Sequence, residues 1–484
     1  MVDAPADSIV LAAESMIQPG DVQLGRDLFG VGLDAPTRSH ERRTPVLHKI
    51  SRFTAGACLG VAAFLAGAAV DSPSLSARTV APTNPVLEWN QIFIDTLIAT
   101  NTANSSSHRL GAIVHASIFD ALNGIERRYT PIFVRPAAAP GASRRAAVIA
   151  AAYTALVGLF PSRQAQLDIS YAASLEALGT GKGDGHDGQS HERGIAWGME
   201  VARTVLALRA NDGFSATYPA FAGGTAVGQW RPVAPATAMS AQALAFTDTF
   251  VLASNTQFQP PPPRTLGSDT YADDFNAVKA LGRNTGSTRT EDQTALAPFW
   301  EANASVHWNQ AANQMARAHH LSMSKSSRLL AVLNIAMADT VFTIWSAKRF
   351  YGSVPTEVTW RPQTAITMAA SDGNPDTTPD AGWTPLITTP SHPEYPAGHP
   401  SLNGAASTVL LSHFSDRQTF TLTAAGQPDR VYKSIRQARD DGNNARVWGG
   451  MHYPSTVAIS SAVGRAIASY VDRNAMQRVH GKRD

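Results

Sequence analysis

Apolar side chains recur every three to four positions along most of the chain. LEWNQIFIDTLIAT at residues 87–100 has helical spacing. In HRLGAIVHASIFDALNGI, Leu110, Ile113, Val114, Ile118, Leu122 and Ile125 form one stripe. AAVIAAAYTALVGLF and AWGMEVARTVLALRA continue the pattern to residue 210. The periodicity then stops. Residues 211–267 are irregular, with PPPP at 260–263, and read as a loop or covering arm. Helical spacing resumes in YADDFNAVKALG, in TEDQTALAPFWEANASVHWNQAANQMARAH and in SRLLAVLNIAMADTVFTIWSAKRFY. PSLNGAASTVLLSHF and PSTVAISSAVGRAIASYVDRN predict two more helices, each opened by a proline. Strict alternation is confined to TFTLTA at 419–424, one short strand or hairpin edge.

The predicted fold class is all-α: two packed helical bundles. The first bundle is expected at about residues 86–210, the arm at 211–267, and the second bundle at about 268–475. The 484 residues, 44% hydrophobic, suffice for such a core. A net charge of +2 gives no bulk attraction to nucleic acid or an anionic membrane, so no nucleic-acid partner is expected. The single cysteine, Cys58, excludes an intramolecular disulfide framework and a cysteine-based zinc site.

Residues 1–85 differ from the rest. FTAGACLGVAAFLAGAAV at 53–70 is apolar and uncharged, follows Arg42, Arg43, Lys49 and Arg52, and contains Ala66-Gly67-Ala68. This predicts a signal peptide in a long leader, and a secreted or periplasmic protein. An uncleaved membrane anchor is the alternative, since eighteen residues can just span a bilayer.

Three segments carry candidate chemistry. WSAKRF…TWRPQTAI places Lys348 near the end of a long apolar helix and Arg361 before a proline. HPEYPAGHPS sets Ala397, Gly398 and His399 at a helix start, with Pro400 expected at its first position. Free N–H groups and the positive end of the helix dipole make that start attractive to an anion. ARVWGGMHYPST separates Arg446 from His452 by five residues, with Pro454 opening the last helix. Singly, each segment has a structural explanation: a cation at a helix C-terminus, a stiffened turn, a surface loop. Together, three cations and two histidines beside helix ends match what a tetrahedral oxyanion requires. One histidine could bond its central atom and the other could transfer protons.

These residues resemble the superfamily of vanadium-dependent haloperoxidases and type 2 phosphatidic acid phosphatases, and its secreted bacterial haloperoxidase-like branch in particular. WRP at 360–362, PAGH at 396–399 and R-VWGGM-H at 446–452 follow the three-part signature. HRLGAIVHASIFDALNGI, FQPPPPRTLGSDTYADDFNAVKALG, RTEDQTALAPFW and SHPEYPAGHPSLNGAAS extend the likeness over about residues 88–475. The resemblance implies the two-bundle fold of that superfamily, vanadate as cofactor, and His452 as the vanadium ligand or phosphatase nucleophile. It also implies His399 as the acid–base histidine, with Lys348, Arg361, Ala397, Gly398 and Arg446 around the oxyanion.

The resemblance further implies a peroxidase, an oxidoreductase using hydrogen peroxide and a halide or small organic substrate, in a family whose members often form homodimers; the sequence leaves the oligomeric state open. A soluble acid phosphatase is the second expectation, and an inactive oxyanion-binding helical protein the third. Three departures bear on this. Twelve residues separate Lys348 from Arg361, with GSVPTE reading as an insertion. Ala397 replaces a serine, removing a hydrogen bond to charge worth about 1.5–3 kcal/mol. Thr456 stands where an aspartate often supports the last histidine, which tilts the expectation away from hydrolysis. Asp339, Asp440 and Asp441 are the candidates for orienting His399.

Overall fold

The computed structural model describes residues 84–179 and 188–479. The expected signal at 53–70, with Cys58, lies outside the described residues. The first helices are α1 (Pro85–Ala99), α2 (Asn104–Glu126), α3 (Arg144–Leu159), α4 (Gln164–Glu176) and α5 (Gly188–Leu208). They are followed by α6 (Asp269–Leu281), α7 (Glu291–Phe299), α8 (Ala304–Ala318), α9 (Met323–Ser353) and α10 (Pro362–Met368). The last are α11 (Gly398–His413), α12 (Ile435–Trp448) and α13 (Pro454–Asn474). Strand β1 (Phe420–Leu422) pairs antiparallel with β2 (Arg430–Tyr432), Phe420 facing Tyr432, as the alternating TFTLTA predicts.

Helix α9 joins the two halves. Every residue from Leu329 to Ile344 is buried, because α9 packs against α2 on one side and against α11 and α13 on the other. It is long and apolar enough to cross a membrane, but 94% of its apolar window is enclosed by the protein. Its hydrophobicity is that of a core helix, apolar on all faces.

Helices α11 and α13 meet at backbone distance. A Cβ on Gly404 would strike the Ser461 carbonyl, and one on Gly464 would strike the Ser401 carbonyl. This reciprocal contact fixes where the two helices cross, and the Ala397 amide donates to Ser460 Oγ at 2.8 Å, joining the start of α11 to α13. The segments His399 and His452 occupy are thereby brought together.

The irregular stretch between α5 and α6 contains one 3-10 turn, Gln242–Phe246. It is held by polar anchors. The Asp339 carboxylate accepts the amides of Phe250, Val251 and Leu252 at 2.6–3.1 Å. Tyr351 and Tyr395 hydroxyls donate to the carbonyls of Pro260 and Pro261 at 2.6 and 2.5 Å. The polyproline run, with few amides of its own to satisfy, thus lies across the base of the 392–400 segment.

Two expectations are corrected. The helix predicted over 290–319 breaks into α7 and α8, because Asn303 caps a new start by accepting the Ser305 amide at 2.9 Å. Helix α11 begins at Gly398 with Ala397 as its N-cap, so Pro400 occupies the third helical position, not the first.

Candidate active site

Arg446 and His452 flank a tight turn. Arg446 lies in the last turn of α12, and Gly449 caps that helix. The Arg446 carbonyl accepts the amides of Met451 and His452 at 3.0 and 3.3 Å. Gly450 has φ +76 and abuts the Gly282 carbonyl, a conformation and closeness that exclude a side chain. The chain therefore reverses between the arginine and the histidine, and both are buried.

Arg361, the N-cap of α10, is fully buried. Its Nη1 donates to His452 Nε2 at 3.2 Å and to the Met451 carbonyl at 3.0 Å. Its Nε donates to the His392 carbonyl at 2.8 Å, and its Nη2 to His392 Nδ1 at 2.7 Å. A guanidinium has no lone pair to accept with, so His452 Nε2 and His392 Nδ1 are unprotonated.

Lys348 reaches the same place despite the lengthened spacing. Its Nζ donates to the carbonyls of Pro393 and Glu394 at 2.6 and 3.2 Å. Helix α9 simply continues to Ser353, and the extra residues form the connection to Arg361. Trp345, one turn earlier, lies 5.8 Å from that ammonium and 5.1 Å from the His392 ring.

Glu394 is the residue sequence reasoning missed. Its carboxylate is buried and accepts from His452 Nδ1 at 2.9 Å, from the Tyr453 amide at 3.2 Å and from the Thr456 hydroxyl at 3.1 Å. The support for His452 comes from the HPEYP segment, and Thr456 holds that carboxylate in place. The signal was present: a glutamate in a run of prolines, two residues after His392.

The expected partners of His399 are not its partners. Asp339 anchors the irregular stretch, Asp440 pairs with Arg439 at 2.8 Å, and Asp441 bonds Tyr432. His399 Nε2 instead meets Asn104 Nδ2 at 3.1 Å, from the start of α2.

Electrostatics set the chemistry. Burial pushes Arg361 down to about 9 and Arg446 down to about 10, and Lys348 well below the usual ammonium range. Burial, then the neighbouring cations, holds His452 and His399 well below the ordinary imidazole value. Burial raises Glu394 to about 7, against the pull of Arg361 and Lys348. Lys348 and Arg361 thus share the buried Glu394 carboxylate while Arg446 faces the exposed Glu301, leaving more buried positive than negative groups around His452.

The residues fit a vanadate-sized oxyanion. Arg446 spends Nη1 on the Trp300 carbonyl at 3.0 Å and Nη2 on the Met451 sulfur at 3.0 Å, a weak acceptor. Its Nε is buried without an acceptor among the described residues. Gly398 contributes an amide in the first turn of α11, where N–H groups lack intrahelical acceptors. Ala397 contributes no hydroxyl, and its own amide donates to Ser460 Oγ at 2.8 Å. His452 Nε2 is unprotonated, with Nδ1–H fixed by a carboxylate, and a metal there would replace its hydrogen bond from Arg361 Nη1.

The class defined here is an all-α protein whose second bundle buries a basic, histidine-bearing cluster. Residues 328–481 match the family model of the VCPO second helical-bundle domain. No curated protein matches the chain. Among solved structures, the first bacterial vanadium-dependent iodoperoxidase aligns with a TM-score of 0.69 and 23% identity, over 83% of this chain and 99% of that one. A bacterial vanadium-dependent chloroperoxidase in its apo form aligns with a TM-score of 0.58 and 18% identity, over 76% and 93%. A holo form of such a chloroperoxidase gives 0.57 and 16%, over 82% and 94%. The chain has the fold of these vanadium-dependent haloperoxidases, and the likeness to the second helical-bundle family lies in residues 328–481.

Proposed function

We propose that the protein is a vanadate-dependent peroxidase that oxidises a halide with hydrogen peroxide. One observation carries this reading: Lys348, Arg361 and Arg446 are all buried and all act on the His452 ring, with Glu394 the buried carboxylate bonded to it. Vanadate would be held by His452 Nε2, with Lys348, Arg361, Arg446 and the Gly398 amide on its oxygens. When bound it supplies a Lewis acid that polarises peroxide toward halide attack. The three cations offset negative charge on oxygen in a site shielded from water. Glu394 keeps the proton of His452 on Nδ1, so Nε2 stays a donor of its lone pair. His399, kept neutral by burial and by Arg446, would take the peroxide proton at Nε2, in place of the hydrogen bond from Asn104, and return it to the leaving oxygen. The test is to load the purified chain with orthovanadate and follow peroxide-dependent oxidation of iodide, bromide and chloride. Activity that appears only with vanadate supports the proposal; none with any of the three halides overturns it.

A phosphomonoesterase is the second reading, and the Glu394–His452 pair favours it. A carboxylate on Nδ1–H makes Nε2 a stronger nucleophile. Nε2 would attack phosphorus, the ester P–O bond would break, and His399, having first taken a proton from water beside the bound phosphate dianion, would pass it to the leaving alkoxide. Water would then release phosphate from His452. The same cations suit a phosphoryl-transfer transition state. Turnover of p-nitrophenyl phosphate without vanadate, lost in His452→Ala, distinguishes it. Vanadate binding with neither turnover would leave an oxyanion-binding protein. We further infer export directed by residues 53–70, which N-terminal sequencing of the mature protein tests.

A further inference from the structure

We propose that Asn104, on the first bundle, is a positioning residue that fixes the tautomer of His399, placing its exchangeable hydrogen on Nδ1. Asn104 opens α2, far outside the residues 328–481 that the family model covers. The inference follows from the donors and acceptors around one side-chain amide.

The Ala304 amide donates to Asn104 Oδ1 at 2.9 Å. A backbone N–H can only donate, so that contact assigns the oxygen of the side-chain amide and turns its NH2 the other way. The NH2 faces His399 Nε2 at 3.1 Å. An amide nitrogen does not accept, so it donates, and Nε2 must offer its lone pair. A neutral ring whose Nε2 accepts carries its hydrogen on Nδ1. A hydrogen on Nε2 would set two donors against each other in a buried place.

Asn104 is itself held rigidly. Asn303 Nδ2 donates to the Thr102 carbonyl at 3.1 Å, while its Oδ1 accepts the Ser305 amide at 2.9 Å. The starts of α2 and α8 are thereby tied together. The same connection between α7 and α8 also presents the Trp300 carbonyl to Arg446 Nη1 at 3.0 Å. One short segment thus orients an oxyanion-facing arginine directly and the candidate acid–base histidine through Asn104. The charges facing His399 work in the same sense. Burial lowers its proton affinity, the Arg446 charge and the neighbouring rings of His108 and His307 lower it further, and the Ala302 carbonyl opposes them.

The acid–base role of His399 rests on the proposed function; the tautomer does not. The test uses the full chain with 15N-labelled histidine rings, the His399 signals being assigned by their absence in His399→Gln. The wild-type ring is expected to show a protonated Nδ1 and an unprotonated Nε2. Asn104→Asp keeps an oxygen for the Ala304 amide and replaces the donor facing His399 by an acceptor. Its ring is expected to carry hydrogen on Nε2. An Nε2–H ring in the wild type, or the same tautomer in both proteins, overturns the proposal. Where vanadate-dependent turnover is present, Asn104→Asp should lower kcat by about 10-fold or more, within the usual range for a disturbed acid–base group. A kcat equal to wild type beside a changed ring spectrum would remove the acid–base role of His399, not the tautomer assignment. Loss of all peroxidase activity in the wild type would remove the functional reading alone, leaving the ring spectra to judge Asn104.

Discussion

His452 Nδ1 donates to Glu394 Oε1 at 2.9 Å, with both side chains buried. The two residues are 58 positions apart and meet because α11 and α13 pack at glycine distance. Thr456, one turn beyond His452, bonds the other carboxylate oxygen at 3.1 Å. An aspartate at 456 would have put a second charge beside Glu394. The threonine instead supplies a neutral donor that suits a carboxylate already in place.

Glu394→Gln should therefore weaken vanadate binding by about 10–100-fold, the usual cost of losing a carboxylate behind a ligating histidine. Equilibrium dialysis against orthovanadate measures it. Thr456→Val should cost less, about 0.5–1.5 kcal/mol, because it removes one neutral donor from the same carboxylate. Equal losses in the two variants would show that Glu394 does not act through His452.

Ala397→Ser should improve the protein twice. Ala397 is the N-cap of α11 in extended conformation, with φ −83 and ψ 132, and makes no side-chain cap. A serine in that conformation can accept an amide of the first turn, a gain of about 1 kcal/mol read as a higher Tm. When an anion is present, the hydroxyl can turn to donate to it. Tighter vanadate binding by about 10-fold is expected from one hydrogen bond to charge. A lower Tm and unchanged affinity would place the side chain away from both.

The parts of this fold legible in the sequence were those governed by local periodicity. The stripe Leu110 to Ile125 became α2, and the alternation at 419–424 became β1. The break at Asn303 was missed because apolar spacing continues across it, and a cap depends on a single side chain. At the site, His399, His452, Arg361 and Arg446 sit in short motifs and could be named from those motifs and the family resemblance they carry. Glu394 and Asn104 could not, since their roles exist only after helices distant in sequence are packed together. Asp339 misled for the same reason. A buried acid on a core helix looks functional until three amides from residues 250–252 are seen to occupy it.

Arg446→Lys should lose much of the oxyanion affinity although the charge is kept. The guanidinium holds the Trp300 carbonyl through Nη1 while Nε remains unspent. An ammonium cannot hold the carbonyl and present a second fixed donor in one plane. A drop of about 10-fold or more in vanadate or phosphate affinity is expected, from about 1.5–3 kcal/mol for a charged hydrogen bond. Calorimetric titration with phosphate measures it without any turnover. Affinity equal to wild type would show that charge alone, and not the fork, is what Arg446 provides.

The buried histidines outside the site predict the acid behaviour of the fold. Burial lowers His108 and His115 from 6.5 to about 3 and His307 to about 4. His115 lies edge-on to Phe93 at 5.7 Å, and neither ring nitrogen has a partner among the described residues. The folded state keeps these rings neutral, while the unfolded chain protonates them near pH 6.5. The unfolded state then binds more protons, so stability is present above pH 6.5 and is lost as pH falls toward about 3. Each ring should cost about 2 kcal/mol by pH 5, a large share of a typical folding free energy of about 5–15 kcal/mol. Denaturant midpoints measured from pH 7.5 down to 4 should fall steeply below 6.5. His115→Phe keeps an aromatic ring of similar size and removes the titration, so its stability should fall with a slope about one proton shallower. The slope is the readout, because a small packing change shifts all midpoints alike. An unchanged slope would mean that His115 takes up no proton on unfolding, and that its burial does not set the acid limit.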